Sequence, residues 1–280
     1  MIKTLIGLES ENYLHPPVLI GKLVAEAVET EVDVLIVVPE GGHRENAEAI
    51  KEQVQEDFAD LTLDFIIREG DATDIYREVL NEVEYDLVIV DPNRGPGLRQ
   101  KTNIEPSIKK KEGLSILLSE YPKPKLENIL LATACKEGDH TLVKAGASLA
   151  RALKANLTLL HVISGNVPAM YTGLDQLDET VEKMLRTDTP FAQHLRRGIE
   201  ILDRHEVDSE VKIRRGVPLE EIVRETQLEN YDLVIIGATE VKEGMKVRLM
   251  GDLTSKIVDE IKMPVLIVED RLFGSELEQK

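Results

Sequence analysis

The sequence contains one apolar hexapeptide twice, as YDLVIV at residues 85–90 and as YDLVII at residues 231–236. The same number of residues separates Gly70 from Tyr85 and Gly216 from Tyr231, and an arginine shortly precedes each glycine. Looser matches lie upstream, where KTLI (3–6) parallels NILL (128–131) and VLIVV (34–38) parallels LTLLHV (157–162). A match that extends over a whole order of elements predicts a duplicated domain rather than a short-period solenoid.

Each half alternates short β-branched apolar runs with stretches that have the 3.6-residue period of amphipathic helices. Uninterrupted runs such as residues 233–236 favour strands that are covered on both faces. Strands that alternate with helices indicate a parallel sheet, and ligands of such sheets bind at the carboxyl ends of the strands. We therefore predict an α/β chain of two tandem Rossmann-like domains, each a five-stranded parallel sheet with helices on both faces.

The boundary between the halves is predicted at YPKPK, residues 121–125, because two prolines in three residues interrupt helices and interior strands. The expected domains are residues 1–122 and 126–270. The second half carries an extra stretch, residues 164–189, which is either a lid over a ligand or a packed connection. Met170 and Tyr171 in that stretch either cover a ligand or fill an irregular gap.

Composition excludes several classes of function. The chain has 52 acidic and 34 basic residues, a formal net charge of −18, which argues against binding to nucleic acid. No apolar run approaches the roughly 18 residues of a membrane helix, so we expect no membrane insertion and a cytoplasmic location. The one cysteine, Cys135, cannot form an internal disulfide, and no metal site is predicted.

The second half resembles the universal stress protein family. The resemblance rests on ILLAT (129–133), LLHV (159–162), RGVP (215–218), YDLVIIG (231–237), RLMGDLTSKI (248–257) and MPVLIV (263–268), in this order. It implies the adenine nucleotide alpha hydrolase-like variant of the Rossmann-like fold. ATP-binding members of the family carry a glycine loop after the fourth strand, and its backbone amides, with the next helix start, receive the phosphates.

The resemblance implies ATP or another adenine nucleotide as the ligand of the second half. Its expected contacts are Ala132, Thr133, Ala134, Val162, Gly237, Gly251, Asp252 and Leu253.

Three departures from the family pattern weaken the expected nucleotide site. Glu240 replaces the second glycine of the loop, Asp252 replaces the hydroxyl residue after Gly251, and Ala134 replaces an acidic residue at the end of the first strand. A carboxylate about 4 Å from a phosphate repels it by several kcal/mol unless a cation lies between them. Asp252 also has a simpler interpretation as a helix N-cap. We therefore expect weak or lost ATP binding.

The first half departs further from the pattern. Residues 91–97, DPNRGPG, place two prolines in the loop, and no Gly-Ser or Gly-Thr follows them. This half is predicted to be a degenerate, structural copy.

Catalysis is not expected, because neither half contains a Walker loop, a Gly-x-Ser-x-Gly elbow or a His-Glu-x-x-His motif. His161 is interpreted as a hydrogen-bonded packing residue. The predicted function is that of a non-catalytic universal stress protein with a stress-response or regulatory role. One alternative is an ATP-binding protein or slow ATPase that uses the second cleft, with Asp252 holding Mg²⁺. Another is a soluble regulatory module of a transporter.

The resemblance also implies a partner for each last strand. Family members commonly pair this strand across a two-fold axis, so residues 114–118 and 264–268 are expected to pair within one chain as a pseudo-dimer that covers both sheet edges. The sequence leaves open whether the chain also forms a homodimer and whether it binds a separate protein partner.

Overall fold

The computed structural model describes residues 2–10, 16–91, 113–135, 139–164, 181–238, 241–243, 246–248 and 252–269 of the 280-residue chain. Several predicted features lie outside these residues: the loop at 92–97, Met170 and Tyr171, and Glu240.

The first half alternates strands and helices as predicted. Its elements are β1 (Ile2–Glu9), α1 (Pro16–Ala27), β2 (Thr30–Val38), α2 (Arg44–Asp57), β3 (Leu63–Glu69), α3 (Ala72–Glu82), β4 (Leu87–Val90) and β5 (Ser115–Leu118).

The second half repeats this order, and its described residues also include a short helix, a hairpin and a helix before the last strand, where residues 92–112 of the first half lie outside the described part. Its elements are β6 (Asn128–Thr133), α4 (Asp139–Leu153), β7 (Asn156–Ile163), α5 (Val181–Leu185), α6 (Pro190–Arg204), β8 (Ser209–Arg215), α7 (Pro218–Leu228), β9 (Leu233–Gly237), β10 (Val241–Glu243), β11 (Lys246–Arg248), α8 (Asp252–Glu260) and β12 (Val265–Val268).

Ten of the twelve described strands form one sheet in the order β3-β2-β1-β4-β5-β12-β9-β6-β7-β8. Within this sheet, all described pairs inside each half are parallel, whereas β10 and β11 form a separate antiparallel pair. Buried apolar side chains form one layer on each face of the sheet, and both layers contain residues from both halves. The predicted fold class, two tandem Rossmann-like units with five-stranded parallel sheets, is confirmed.

The two halves meet at β5 and β12, which form the one antiparallel pair that the described residues contribute to this sheet, with Leu117 opposite Leu266. The predicted pairing of the last strands within one chain is confirmed. It covers the β5 edge of one five-stranded sheet and the β12 edge of the other, while β3 and β8 are the end strands of the combined sheet. Because the sheet and the core continue across this pair, the domain limits at 1–122 and 126–270 stay a prediction.

The glycines of the repeat have a shared conformational role. Gly70 and Gly216 adopt φ angles of 141° and 153°, which L side chains rarely adopt. Each donates its backbone N–H to the last residue of a strand, Gly70 to Val38 (3.0 Å) and Gly216 to Ile163 (3.1 Å). The glycines thereby turn the chain from β3 into α3 and from β8 into α7 at matching places.

The extra stretch of the second half ends in a capped helix. Thr189 accepts a hydrogen bond from the backbone N–H of Ala192 (3.2 Å), and Pro190 occupies the first helical position of α6. The lid interpretation of this stretch falls on residues 165–180, outside the described part of the chain.

Candidate ligand cleft in the second half

A cleft of about 240 Å³ lies at the carboxyl ends of β6, β7 and β9, between the starts of α7 and α8. This is the edge of a parallel sheet at which ligands generally bind. Much of the wall is aliphatic and includes Leu142, Ile222, Ile236 and Ile257. The cleft therefore offers an apolar slot with a few polar groups at its rim, the usual composition of a small-molecule site.

Six of the eight predicted contact residues line this cleft: Ala132, Thr133, Ala134, Val162, Gly237 and Leu253. They come from the ends of three strands and from the first turn of α8. Gly251 lies outside the described residues, and Asp252 is described as the first residue of α8 without its side chain. The expected position of the Glu240 and Asp252 carboxylates beside the phosphates therefore stays a prediction.

A carboxylate that the sequence analysis missed lines the cleft. Asp139, the first residue of α4, accepts a hydrogen bond from the Thr133 hydroxyl (2.6 Å). That hydroxyl in turn accepts the backbone N–H of Cys135 (3.0 Å). Ala134 has no carboxylate, but Asp139 brings one to the same end of β6. An acidic residue just ahead of a helical period was the available signal.

Thiol chemistry is suppressed at the neighbouring residue. Burial raises the pKa of Cys135 to about 12, and the negative charge of Asp139 acts in the same direction. The thiol is therefore protonated at neutral pH and is a poor nucleophile.

His161 is held at the end of β7 by Thr133 and Phe191. Its Nδ1 lies 2.8 Å from the carbonyl oxygen of Thr133, and its ring centroid lies 4.8 Å from that of Phe191. A carbonyl oxygen only accepts, so Nδ1 carries the hydrogen and Nε2 is an acceptor in the neutral ring. The predicted hydrogen-bonded packing role is confirmed, and His161 also lines the cleft.

The charge state of His161 follows from its surroundings. Burial lowers the pKa of His161 and outweighs the opposing effects of the Thr133 carbonyl and of Asp139. The imidazole is therefore neutral at pH 7, and it offers the cleft a hydrogen-bond acceptor rather than a positive charge.

The segment that would hold phosphates departs from a plain glycine loop. Val241–Glu243 and Lys246–Arg248 pair as an antiparallel hairpin between β9 and α8, which the sequence analysis did not predict. Thr254, on the first turn of α8, is buried and lines the cleft. A hydroxyl is thus present two residues after the position where the family has one.

The described residues contain no group of three or more histidine, cysteine or acidic side chains able to hold a metal ion. Within the same part of the chain, no helix is both long and apolar enough to cross a membrane.

Comparison with models of protein families shows which family the chain belongs to. The model of the universal stress protein family matches residues 125–269, which is 145 of the 280 residues. The chain belongs to the universal stress protein family. The family match covers all the strands of the second half and every residue that lines the cleft.

Solved structures extend the likeness to the whole chain. A universal stress protein from Archaeoglobus fulgidus DSM 4304 has 11% identity and a TM-score of 0.62, over 96% of this chain and 98% of that one. A functionally unknown protein from Pseudomonas aeruginosa PAO1 has 16% identity and a TM-score of 0.65, over 97% and 94%.

A third structure of this architecture is the cytoplasmic domain of a prokaryotic cation chloride cotransporter. It has 15% identity and a TM-score of 0.57, over 98% of this chain and 97% of that one. At such identities these structures establish the tandem fold alone. No curated protein matches the sequence.

Proposed function

We propose that this member of the universal stress protein family is a non-catalytic regulatory binding protein with a role in stress response. In this proposal the second-half cleft takes the adenine and ribose end of an adenine nucleotide or nucleoside, and phosphates contribute little affinity. The observation that carries the proposal is the 240 Å³ cleft at the ends of β6, β7 and β9, with six predicted contact residues in its wall.

The size and chemistry of the cleft favour a nucleoside. Typical sites for drug-sized ligands have about 300–1,000 Å³, and the value of about 240 Å³ lies below that range. Ile222 and Ile236 supply apolar surface for a flat ring, and Nε2 of the neutral His161 supplies an acceptor for an exocyclic amino group. In the described wall of the cleft, these features suit adenine with its ribose.

Charge disfavours phosphate at this site. Asp139 lines the cleft, and the chain as a whole carries a formal charge of −18. Each phosphate that approaches a carboxylate without a bridging cation meets repulsion of several kcal/mol at short range. The resemblance also implies that the carboxylates of Glu240 and Asp252 lie beside the phosphates, where they would add to this repulsion.

The absence of turnover is also part of the proposal. The hydrogen on Nδ1 of His161 is engaged by the Thr133 carbonyl, and the Thr133 hydroxyl is engaged by Asp139. The base beside the Thr133 hydroxyl is a carboxylate, which is a weak base for a hydroxyl at neutral pH, so we do not expect this pair to act as an activated nucleophile. We expect the bound ligand to act as a signal that is read by a partner, not as a substrate.

Adenosine binding measured by equilibrium dialysis tests the cleft. Val162→Trp places a large ring at the half-buried end of β7 in the cleft wall, whereas Leu228→Trp places the same ring on an exposed site at the end of α7. We expect Val162→Trp to weaken binding at least tenfold and Leu228→Trp to leave it unchanged. Equal binding by both folded variants would exclude this cleft.

Phosphate release from ATP tests the absence of turnover. We expect release by the purified chain to equal that of a heat-denatured sample. A steady release that disappears in Asp252→Ala would instead support the slow ATPase that was the alternative in the sequence analysis.

A further inference from the structure

The two halves align residue by residue through their strand registers. Thr4 lies opposite Leu87 in the β1–β4 pair, and Ile129 lies opposite Leu233 in the β6–β9 pair. The glycines that precede α3 and α7, Gly70 and Gly216, make the same backbone hydrogen bond.

This alignment identifies the first-half equivalents of two residues that line the second-half cleft. Counting along the strands from Thr4 and Ile129 makes Gly7 the equivalent of Ala132. Counting from Gly70 and Gly216 makes Tyr76 the equivalent of Ile222. Ala132 and Ile222 line the open cleft.

In the first half Tyr76 and Gly7 are in direct contact. Tyr76 is only 3% exposed, and a Cβ atom added at Gly7 would lie 1.8 Å from its hydroxyl oxygen and 2.7 Å from its Cζ. No side chain fits at residue 7 while the ring stays in place. In the second half, the corresponding space between the strand end and the helix is the open cleft. In the first half, the ring of Tyr76 fills this space.

The surroundings of this ring differ in charge from the second-half cleft. Burial raises the pKa of Tyr76, and the negative charges of Glu9 and Asp91 raise it further. By the same alignment, Glu9 corresponds to Ala134 and Asp91 to Gly237. The negative charges of Glu9 and Asp91 disfavour an anionic ligand in this place, so an uncharged nucleoside suits it better than a nucleotide.

We propose that Tyr76 is a built-in occupant of the first half's cleft. Its ring takes the place that the ligand takes in the second half, so the chain has one ligand site rather than two. Removal of the ring opens a second site for an uncharged planar ligand such as adenosine. The ligand class rests on the proposed function, whereas the occupancy by Tyr76 rests on the Gly7 contact.

Adenosine bound per chain, counted by equilibrium dialysis, tests this proposal. We expect one for the natural chain, one for Tyr76→Phe, which keeps the ring, and two for Tyr76→Ile, which installs the residue of the second half. Circular dichroism and thermal unfolding identify the variants that fold. Two sites in the natural chain, or an unchanged number in folded Tyr76→Ile, would overturn the proposal.

The reciprocal variant moves the occupant into the second half. Ala132→Gly with Ile222→Tyr recreates the Gly7 and Tyr76 pair at the open cleft, and we expect it to fold and to bind no adenosine. Unchanged binding by this double variant would overturn the proposal. If Tyr76→Ile does not fold, this variant alone decides the question.

A failure of the proposed function is distinguishable from a failure of this inference. If the natural chain binds no adenosine, the second-half site has failed. In that case, binding of one adenosine per chain by Tyr76→Ile still supports the occupancy by Tyr76. A folded Tyr76→Ile that binds no adenosine overturns it.

Discussion

The hydroxyl of Tyr231 donates a hydrogen bond to the carboxylate of Glu225, with 3.0 Å between the oxygens. Glu225 has no exposed surface, and Lys212 (3.0 Å) and Arg214 of β8 bind the same carboxylate. In the first half the equivalent tyrosine, Tyr85, donates to the buried carboxylate of Asp33 (2.6 Å). The tyrosine of the repeated hexapeptide thus anchors a carboxylate in both halves, from α7 in one and from β2 in the other.

Loss of the Glu225 charge is expected to destabilise the second half. In Glu225→Gln the partly buried Arg214 loses the carboxylate that it binds, and Lys212 keeps only its exposed partners Glu210 and Glu229, which together cost about 3 kcal/mol. Glu229→Gln is the matched control, because Glu229 is an exposed partner of Lys212 and such pairs contribute about 0.5 kcal/mol or less. Urea unfolding measures both variants, and equal losses would contradict the account of the network.

The same network predicts how stability depends on pH. Burial alone would raise the pKa of Glu225, but hydrogen bonds from Lys212, Arg214 and Tyr231 lower it below the ordinary value of 4.5. A lowered folded-state pKa contributes stability above the unfolded-state pKa and loses it as the pH falls through the folded value. We expect the natural chain to lose more thermal stability than Glu225→Gln below pH 4.5. Parallel curves for the two proteins would refute this.

His161 is expected to titrate below its ordinary pKa of 6.5, since burial disfavours the charged ring. The folded chain then binds fewer protons than the unfolded chain, so the contribution of His161 is complete above pH 6.5 and falls below it. An NMR titration measures the pKa, with the signal assigned by its loss in His161→Phe. A pKa above 6.5 would contradict the neutral ring assumed in the cleft.

The central strand pair is expected to couple the halves energetically. Leu117 and Leu266 are each 1% exposed and lie opposite each other, so each substitution by alanine costs about 2–5 kcal/mol. The double variant should deviate from additivity by about 0.5 kcal/mol or more, as facing cross-strand residues do. The control pair combines Leu117→Ala with Leu195→Ala on α6. For this pair the losses of unfolding free energy should be additive. Additivity in both pairs, measured by urea unfolding, would argue against the β5–β12 contact.

Much of the fold was predictable because its signals are local. The repeated hexapeptide and its glycines identify β4, β9 and the turns before α3 and α7, and two five-stranded sheets with exposed edges have an evident way to pair. The strand ends of the second half likewise indicated the cleft residues Ala132, Thr133, Ala134, Val162 and Gly237.

The missed features depend on contacts between distant parts of the chain. Asp139 reaches the cleft through its hydrogen bond with Thr133, a contact between two elements that their spacing in the sequence does not show. The contact between Gly7 and Tyr76 joins a strand end to a helix that lies two strands later in the sequence. From the sequence, Glu225 is expected on the exposed face of a helix. Its equivalent in the first half, however, is the buried Val79, so a comparison of the two repeats could have indicated that Glu225 is buried.

The ligand cleft of the second half is tested most directly by one isothermal titration series. The purified chain, stripped of endogenous ligand, is titrated with adenosine, AMP, ADP and ATP, each with and without Mg²⁺. We expect one site per chain and affinities that stay within about tenfold of adenosine, or about 1.4 kcal/mol, as phosphates are added without Mg²⁺. Binding that tightens more than tenfold from adenosine to ATP without Mg²⁺, or no binding of any of the four, would contradict the account.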